Sequence, residues 1–98
     1  MSTHRHVRVR GRVQGVGYRA WAEYTALSRG LKGWVRNRRD GSVEAVFIGA
    51  EEAVAAMVEA CRTGPAEATV EGVDHRDASP EEVRLRRGDE MFSVLPTA

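Results

Sequence analysis
The sequence is short of most features that would assign it to a specialised class. A single cysteine, Cys61, among 98 residues rules out an internal disulfide and is the usage expected in a reducing cytoplasm. No stretch approaches the ~20 apolar residues of a membrane span. The start, Met1-Ser2-Thr3-His4-Arg5-His6, is polar and lacks the apolar centre of a secretory signal. A cytoplasmic location and no membrane partner are therefore expected. An excess of either charge is also missing: 15 basic against 14 acidic residues leave a net charge of +1. A general nucleic-acid binder usually shows a clear basic excess. Lysine is nearly absent. Lys32 is the only one, and every other basic residue is arginine. Arginine suits two-point contact with phosphate, but alanine, glycine and valine are abundant too, so each arginine is judged by its position. With no repeat, linker or low-complexity tract, residues 1–98 are expected to form one domain with a modest core.

What is present is a regular alternation of elements. From His6 to Val13, Val7, Val9, Gly11 and Val13 share one face and Arg8, Arg10 and Arg12 the other, the period of a half-buried strand. A glycine-rich turn follows. Ala20, Tyr24, Leu27 and Leu31 then recur at helical spacing and predict an apolar stripe, with Gly30 suited to close the helix. Gly33–Arg39 and Ser42–Ile48 read as two strands joined at Asp40-Gly41. A second helix is predicted after Gly49, with Glu51 and Glu52 at its positive end and Val54, Met57, Val58 and Cys61 on its buried side. Gly64-Pro65 stops it. Thr69–Asp77 reads as a strand bulged at Gly72. Glu81–Glu90 reads as an exposed charged connection, and Met91–Leu95 as a short last strand. The order β-α-β-β-α-β with an extra edge strand predicts an α+β, ferredoxin-like sandwich, two helices on one face of an antiparallel sheet. That fold hosts many functions and decides none of them.

The segment richest in chemistry is Gln14-Gly15-Val16-Gly17-Tyr18-Arg19, between the first strand and the first helix. Glycines allow successive N–H groups to converge into an anion-binding nest. The helix that follows adds unpaired N–H donors and a positive dipole end. Arg19 stands in its first turn, where a cation costs about 0.3–1 kcal/mol; an arriving anion explains that placement, clamped by the guanidinium in two-point fashion. A bare G-x-G-x-R also fits a simple turn. The segment is neither a P-loop, which needs G-x-x-x-x-G-K-[ST], nor a dinucleotide fingerprint, which needs a third glycine.

Two longer patterns give this segment a context. Gly11-Arg12-Val13-Gln14-Gly15-Val16-Gly17-Tyr18-Arg19 resembles the first acylphosphatase signature, G-x-V-x-G-V-x-[FY]-R. Gly33-Trp34-Val35-Arg36-Asn37, with Gly41, Val43 and Gly49, resembles the second, G-[FYW]-[AVC]-x-N-x3-G-x-V-x5-G. Gly64-Pro65 and Ala68 also follow the family's habit, and the likeness extends from about Val7 to Phe92. It departs at Gly17, where members often carry a bulkier residue, and at the C-terminal end, which here lacks a basic or aromatic residue. The resemblance implies a ferredoxin-like hydrolase that cleaves the carboxyl–phosphate bond of a small-molecule acyl phosphate. It implies that residues 14–19 bind phosphate, that Arg19 acts on it, and that Asn37 orients the attacking water.

The rest of the sequence agrees with chemistry that needs no cofactor and no metal. An acyl phosphate carries a good leaving group, so positioning and charge stabilisation do most of the work. Cys61 sits on an apolar stripe with no C-x5-R after it, and reads as a core thiol. No D-x-D-x-T run suggests a phosphoaspartate. His4 and His6 are read as solvated rather than as metal ligands, and His75 has no evident partner. Direct attack by water remains. Arg8, Arg10, Arg12, Arg36, Arg38 and Arg39 are read as a solvated face, Trp34 and Phe47 as packing residues, and Tyr18 as the loop's anchor in the core. The competing reading is a non-catalytic ferredoxin-like module that binds RNA or acyl phosphates. Against RNA, the first strand has none of the stacking aromatics of an RNA-recognition sheet. A monomer is expected.

Overall fold
The computed structural model describes residues 2–98. Strand β1 (Thr3–Arg12) leads through the loop into helix α1 (Tyr18–Ser28). Strands β2 (Lys32–Asn37) and β3 (Val43–Gly49) form a hairpin, followed by helix α2 (Glu51–Cys61), strand β4 (Thr69–Asp77), a single turn α3 (Pro80–Val83) and strand β5 (Phe92–Val94). The sheet order is β4-β1-β3-β2-β5. The first four strands pair antiparallel, while β5 lies parallel to β2, so the sheet is mixed at that edge. This is the ferredoxin-like α+β sandwich with an added edge strand. Central β3 is buried along Val43–Ile48, and it reads as a nearly continuous apolar run because both of its faces are covered.

One face packs on the helices. Val7, Val9, Val35 and Phe47 of the sheet meet Ala22 and Ala26 of α1 and Val54, Met57 and Cys61 of α2. Phe92 of β5 stacks on Phe47 with ring centroids 6.0 Å apart. The predicted stripe of α1 is wrong. Tyr18, Ala22 and Ala26 are its buried residues, whereas Ala20 is exposed, Tyr24 is 75% exposed and Leu27 42%. Both sets recur at helical spacing. The structure buries the small one because alanines let the helix lie close to the sheet. Leu31 is buried, but beyond the end of α1. The bulge in β4 falls at Glu71: Arg10 pairs with Gly72 and Gly11 with Val70, leaving Glu71 unopposed.

The other face carries a second apolar cluster, Trp34, Val46, Ile48 and Leu95, with Ala78 and Val83 against it. Trp34 and Val46 sit opposite each other on β2 and β3. The segment expected to be an exposed charged connection is instead anchored here. Ser79 and Glu82 form a reciprocal capping box, the kind of N-terminal closure that stabilises even a short turn. Trp34 Nε1 donates to the Glu82 carbonyl at 2.7 Å, and Arg76 grips both Glu82 carboxylate oxygens at 2.7 and 2.8 Å. His6 is not solvated either. It is 7% exposed, with Nε2 2.7 Å from Glu44 Oε2 and 3.6 Å from Glu82 Oε2. Arg36 and Arg38 reach the other oxygen of Glu44 at 2.7 and 3.4 Å. Charged residues on this face pair with one another, and the α3 turn brings Glu82 into the group. Arg8 likewise meets Asp40 at 3.3 Å and Arg10 meets Asp74 at 2.9 Å.

Candidate active site
The loop between β1 and α1 takes the shape its glycines permit. Gly15 and Gly17 have φ of +75° and +81°, a left-handed conformation that costs other residues energy. Space is not the constraint, since a Cβ at either would meet nothing within 4 Å. Gly17 is the N-cap of α1, without a side-chain cap and without an acid in the first turn. The first helical bond runs from Trp21 N–H to the Gly17 carbonyl at 3.0 Å, so the N–H groups ahead of it have no helical partner. The electrostatics at this helix end favour an anion.

The loop's side chains split between two tasks. Tyr18 is buried and donates from its hydroxyl to the Cys61 carbonyl at 2.7 Å, which ties the start of α1 to the end of α2. Burial pushes the Tyr18 hydroxyl well above its ordinary pKa and the Cys61 thiol up to about 11, so the thiol stays protonated and unreactive at neutral pH. Val16 packs on the core. Gln14 reaches the other way: its Nε2 donates to the carbonyls of Arg38 and Ser42 at 2.7 and 2.9 Å. Those two residues flank the β2–β3 turn, so the amide of Gln14 fixes the loop to the hairpin that carries Asn37.

Asn37 ends β2. Strand alternation puts it on the face of Val35, toward the helices. It is 9% exposed, and its Oδ1 is buried without a hydrogen-bond partner among the described residues. Such atoms are uncommon in folded proteins and ask for an explanation. Its backbone carbonyl is engaged. The carbonyl accepts from Ala98 N–H at 3.1 Å, and the next residues are held by Arg38 N–H to the Ser42 carbonyl and Arg39 N–H to the Ala98 carbonyl. The C-terminal tail thus continues along β2 and braces the strand end that presents Asn37.

Loop and strand end meet at one cavity of about 430 Å³. Gly15, Gly17, Tyr18 and Arg19 form one side of it and Asn37 another, with Val13, Ala20, Glu23 and Val94 completing the wall. Arg19 makes no ion pair among the described residues, although Glu23 lies one turn along the same helix. A guanidinium beside unpaired N–H donors, lining one cavity with the Asn37 amide, can hold a tetrahedral oxyanion and a water against it at once.

The family model of the acylphosphatases matches residues 5–91. The chain belongs to that family. A Bradyrhizobium diazoefficiens acylphosphatase is 62% identical over 91 residues, covering 93% of this chain and 92% of that one. Among solved structures, an acylphosphatase from Coxiella burnetii superposes with a TM-score of 0.83 at 31% identity, covering 96% of this chain and 93% of that one. One from Bacillus subtilis gives 0.82 at 35% identity, covering 97% and 99%.

Of the residues expected from the sequence, Gly15, Gly17, Tyr18, Arg19 and Asn37 line the cavity of this acylphosphatase family member. Gln14 and Val16 lie behind it, as tie and packing. The sequence reading missed Val13, Ala20, Glu23 and Val94. Glu23 was within reach, since its i+4 spacing from Arg19 puts both on one helix face. The only group of metal-ligand types brought together among the described residues is His6, Glu44 and Glu82, whose candidate atoms lie within 4.8 Å of one another. Its carboxylates are occupied by arginines. Burial alone would push the Glu44 carboxyl up, but hydrogen bonds from His6 and Arg36 overcome it and hold the group at about 2. The hydrogen bond from Arg76 likewise lowers Glu82 to about 2, against a smaller opposing effect of burial. This cluster braces the fold on the face away from the cavity. No helix of the described residues is long and apolar enough to cross a membrane.

Proposed function
We propose that the protein hydrolyses the carboxyl–phosphate anhydride of small-molecule acyl phosphates, by direct attack of water, with residues 1–98 acting as one acylphosphatase-like domain. The observation that carries this reading is the cavity shared by Arg19 and Asn37, together with family membership over residues 5–91. In this reading the phosphate sits on the loop Gly15–Arg19. Backbone N–H groups and the Arg19 guanidinium take its oxygens, and they hold tighter as charge redistributes in the transition state. The side-chain amide of Asn37, which lines the same cavity, holds the nucleophilic water and fixes its approach to phosphorus. The new bond forms between the water oxygen and phosphorus. The bond from phosphorus to the acyl oxygen breaks, and its electron pair leaves with the carboxylate. The water's proton passes to a phosphate oxygen, giving inorganic phosphate.

Nothing in this scheme calls for a metal or a side-chain nucleophile. The cavity wall offers no histidine or cysteine and a single carboxylate, Glu23. The reading takes the protein as a cytoplasmic monomer. Hydrolysis of benzoyl phosphate in ¹⁸O-water tests the bond cleaved: the label is expected in inorganic phosphate. Label in benzoate instead would mean attack at the carbonyl carbon and a different mechanism.

A further inference from the structure
The cavity wall carries two charges of opposite sign. Arg19 and Glu23 both line it, and both are half-buried, yet they form no ion pair with each other. They stand four positions apart on the helix, a rise of about 6 Å. The loop N–H groups lie at the Arg19 end. Ala20, Val13 and Val94 line the same cavity and give an acyl chain apolar surface beside the two charges. Glu23 makes no ion pair elsewhere among the described residues, so its charge is not cancelled.

From this arrangement we infer that Glu23 sets acyl selectivity: the site prefers acyl phosphates whose far end is neutral or cationic over those bearing a second anion. The inference rests on the proposed seat of the phosphate at Gly15–Arg19. With that group fixed, an acyl chain extending along α1 brings its far end to Glu23. A carboxylate or second phosphate there meets a like charge in a partly desolvated wall, whereas an ammonium gains a partner. Discrimination of this kind acts at a half-buried, still solvent-screened carboxylate and is modest. About fivefold between matched substrates is the scale expected of one such contact.

The test uses three substrates on one rigid ring: benzoyl phosphates carrying a para methyl, carboxylate or aminomethyl group. For each, kcat/KM is measured for the wild type and for Glu23→Gln. Comparing substrate ratios between the two proteins cancels the intrinsic reactivity of each anhydride. The carboxylate-to-methyl ratio is expected to rise about fivefold in Glu23→Gln and the aminomethyl-to-methyl ratio to fall by a similar factor, with both changes shrinking in high salt. Glu23→Lys should move the ratios further in the same directions. Ratios that stay within twofold of wild type overturn the inference, as does a loss common to all three substrates, which would make Glu23 a support for Arg19. If the wild type hydrolyses none of the three, the phosphate reading itself has failed and this inference with it.

Discussion

Asn37→Ala separates a residue kept for function from one kept for the fold. The side chain is buried, yet its Oδ1 accepts no hydrogen bond from the described residues. A buried polar atom without a partner costs on the order of 1–3 kcal/mol. Truncation removes that cost while forfeiting a few packing contacts of similar worth. The backbone of residue 37, which carries the bond from Ala98, is untouched. Stability should therefore change by less than about 1 kcal/mol, read as the urea midpoint at constant m-value. Turnover should fall by ~100–1000-fold, the usual effect of losing one preorganised group. The inhibition constant for inorganic phosphate should worsen far less, because Arg19 and the loop N–H groups remain. Steady-state hydrolysis of benzoyl phosphate, product inhibition by phosphate and urea unfolding together give the three readings. A stability loss above about 2 kcal/mol with a parallel loss of phosphate affinity would show that Asn37 is structural and refute the assignment.

Three further substitutions probe what holds the site. Gly33 has φ of +144°, and a Cβ there would lie 1.8 Å from the Val46 carbonyl oxygen; Gly33→Ala should cost several kcal/mol, on the order of 3 or more, and a thermal melt of the variant within a few degrees of wild type would contradict the strand pairing. Gln14→Ala removes both bonds to the hairpin carbonyls; about 1–2 kcal/mol of stability should go, with kcat reduced and circular dichroism unchanged, and an unaltered kcat would mean that loop and hairpin are held together by something else. Glu44 is lowered in the folded protein to about 2, beneath the ~4.3 of a free glutamate; its contribution is complete above the unfolded value and is lost as pH falls toward the folded one. Stability should thus drop by about 2–3 kcal/mol between pH 5 and pH 2 on its account, and Glu44→Gln should flatten that slope in urea titrations. An unchanged slope would assign the acid sensitivity to other carboxylates.

The fold was readable where pattern and punctuation agreed. The alternation of Val7 and Val9 against arginines, the Asp40-Gly41 turn and the stop at Gly64-Pro65 recur as β1, the hairpin and the end of α2. Helix α1 was misread because two residue sets share its period. Hydrophobicity favours Tyr24 and Leu27, while close approach to the sheet favours Ala22 and Ala26, and only the tertiary packing decides between them. His6 and the charged stretch after Pro80 were misjudged for a related reason. Each looks solvated in isolation, and each is buried or pinned by partners about 40 to 75 residues away, as Glu82 is by Trp34 and His6 by Glu44 and Glu82. The cavity was more legible than the core. Glycines with a helix behind them and a cation set against the helix dipole are local signals, and Arg19 carries them. Asn37 alone carried little, and its meeting with Arg19 became visible through the spacing of two motifs. Gln14 was counted among the phosphate-loop residues, but its side chain turns to the hairpin carbonyls, a partner choice that no local pattern encodes.

The most direct test of the central claim is the rate of benzoyl phosphate hydrolysis in excess EDTA, wild type against Arg19→Ala. Arg19 is half-buried and holds no ion pair among the described residues, so the variant should fold as the wild type does. The account predicts full wild-type activity in EDTA and a loss of at least ~100-fold in Arg19→Ala. Wild-type activity that vanishes with EDTA, or a folded Arg19→Ala protein that hydrolyses the substrate at the wild-type rate, would contradict it.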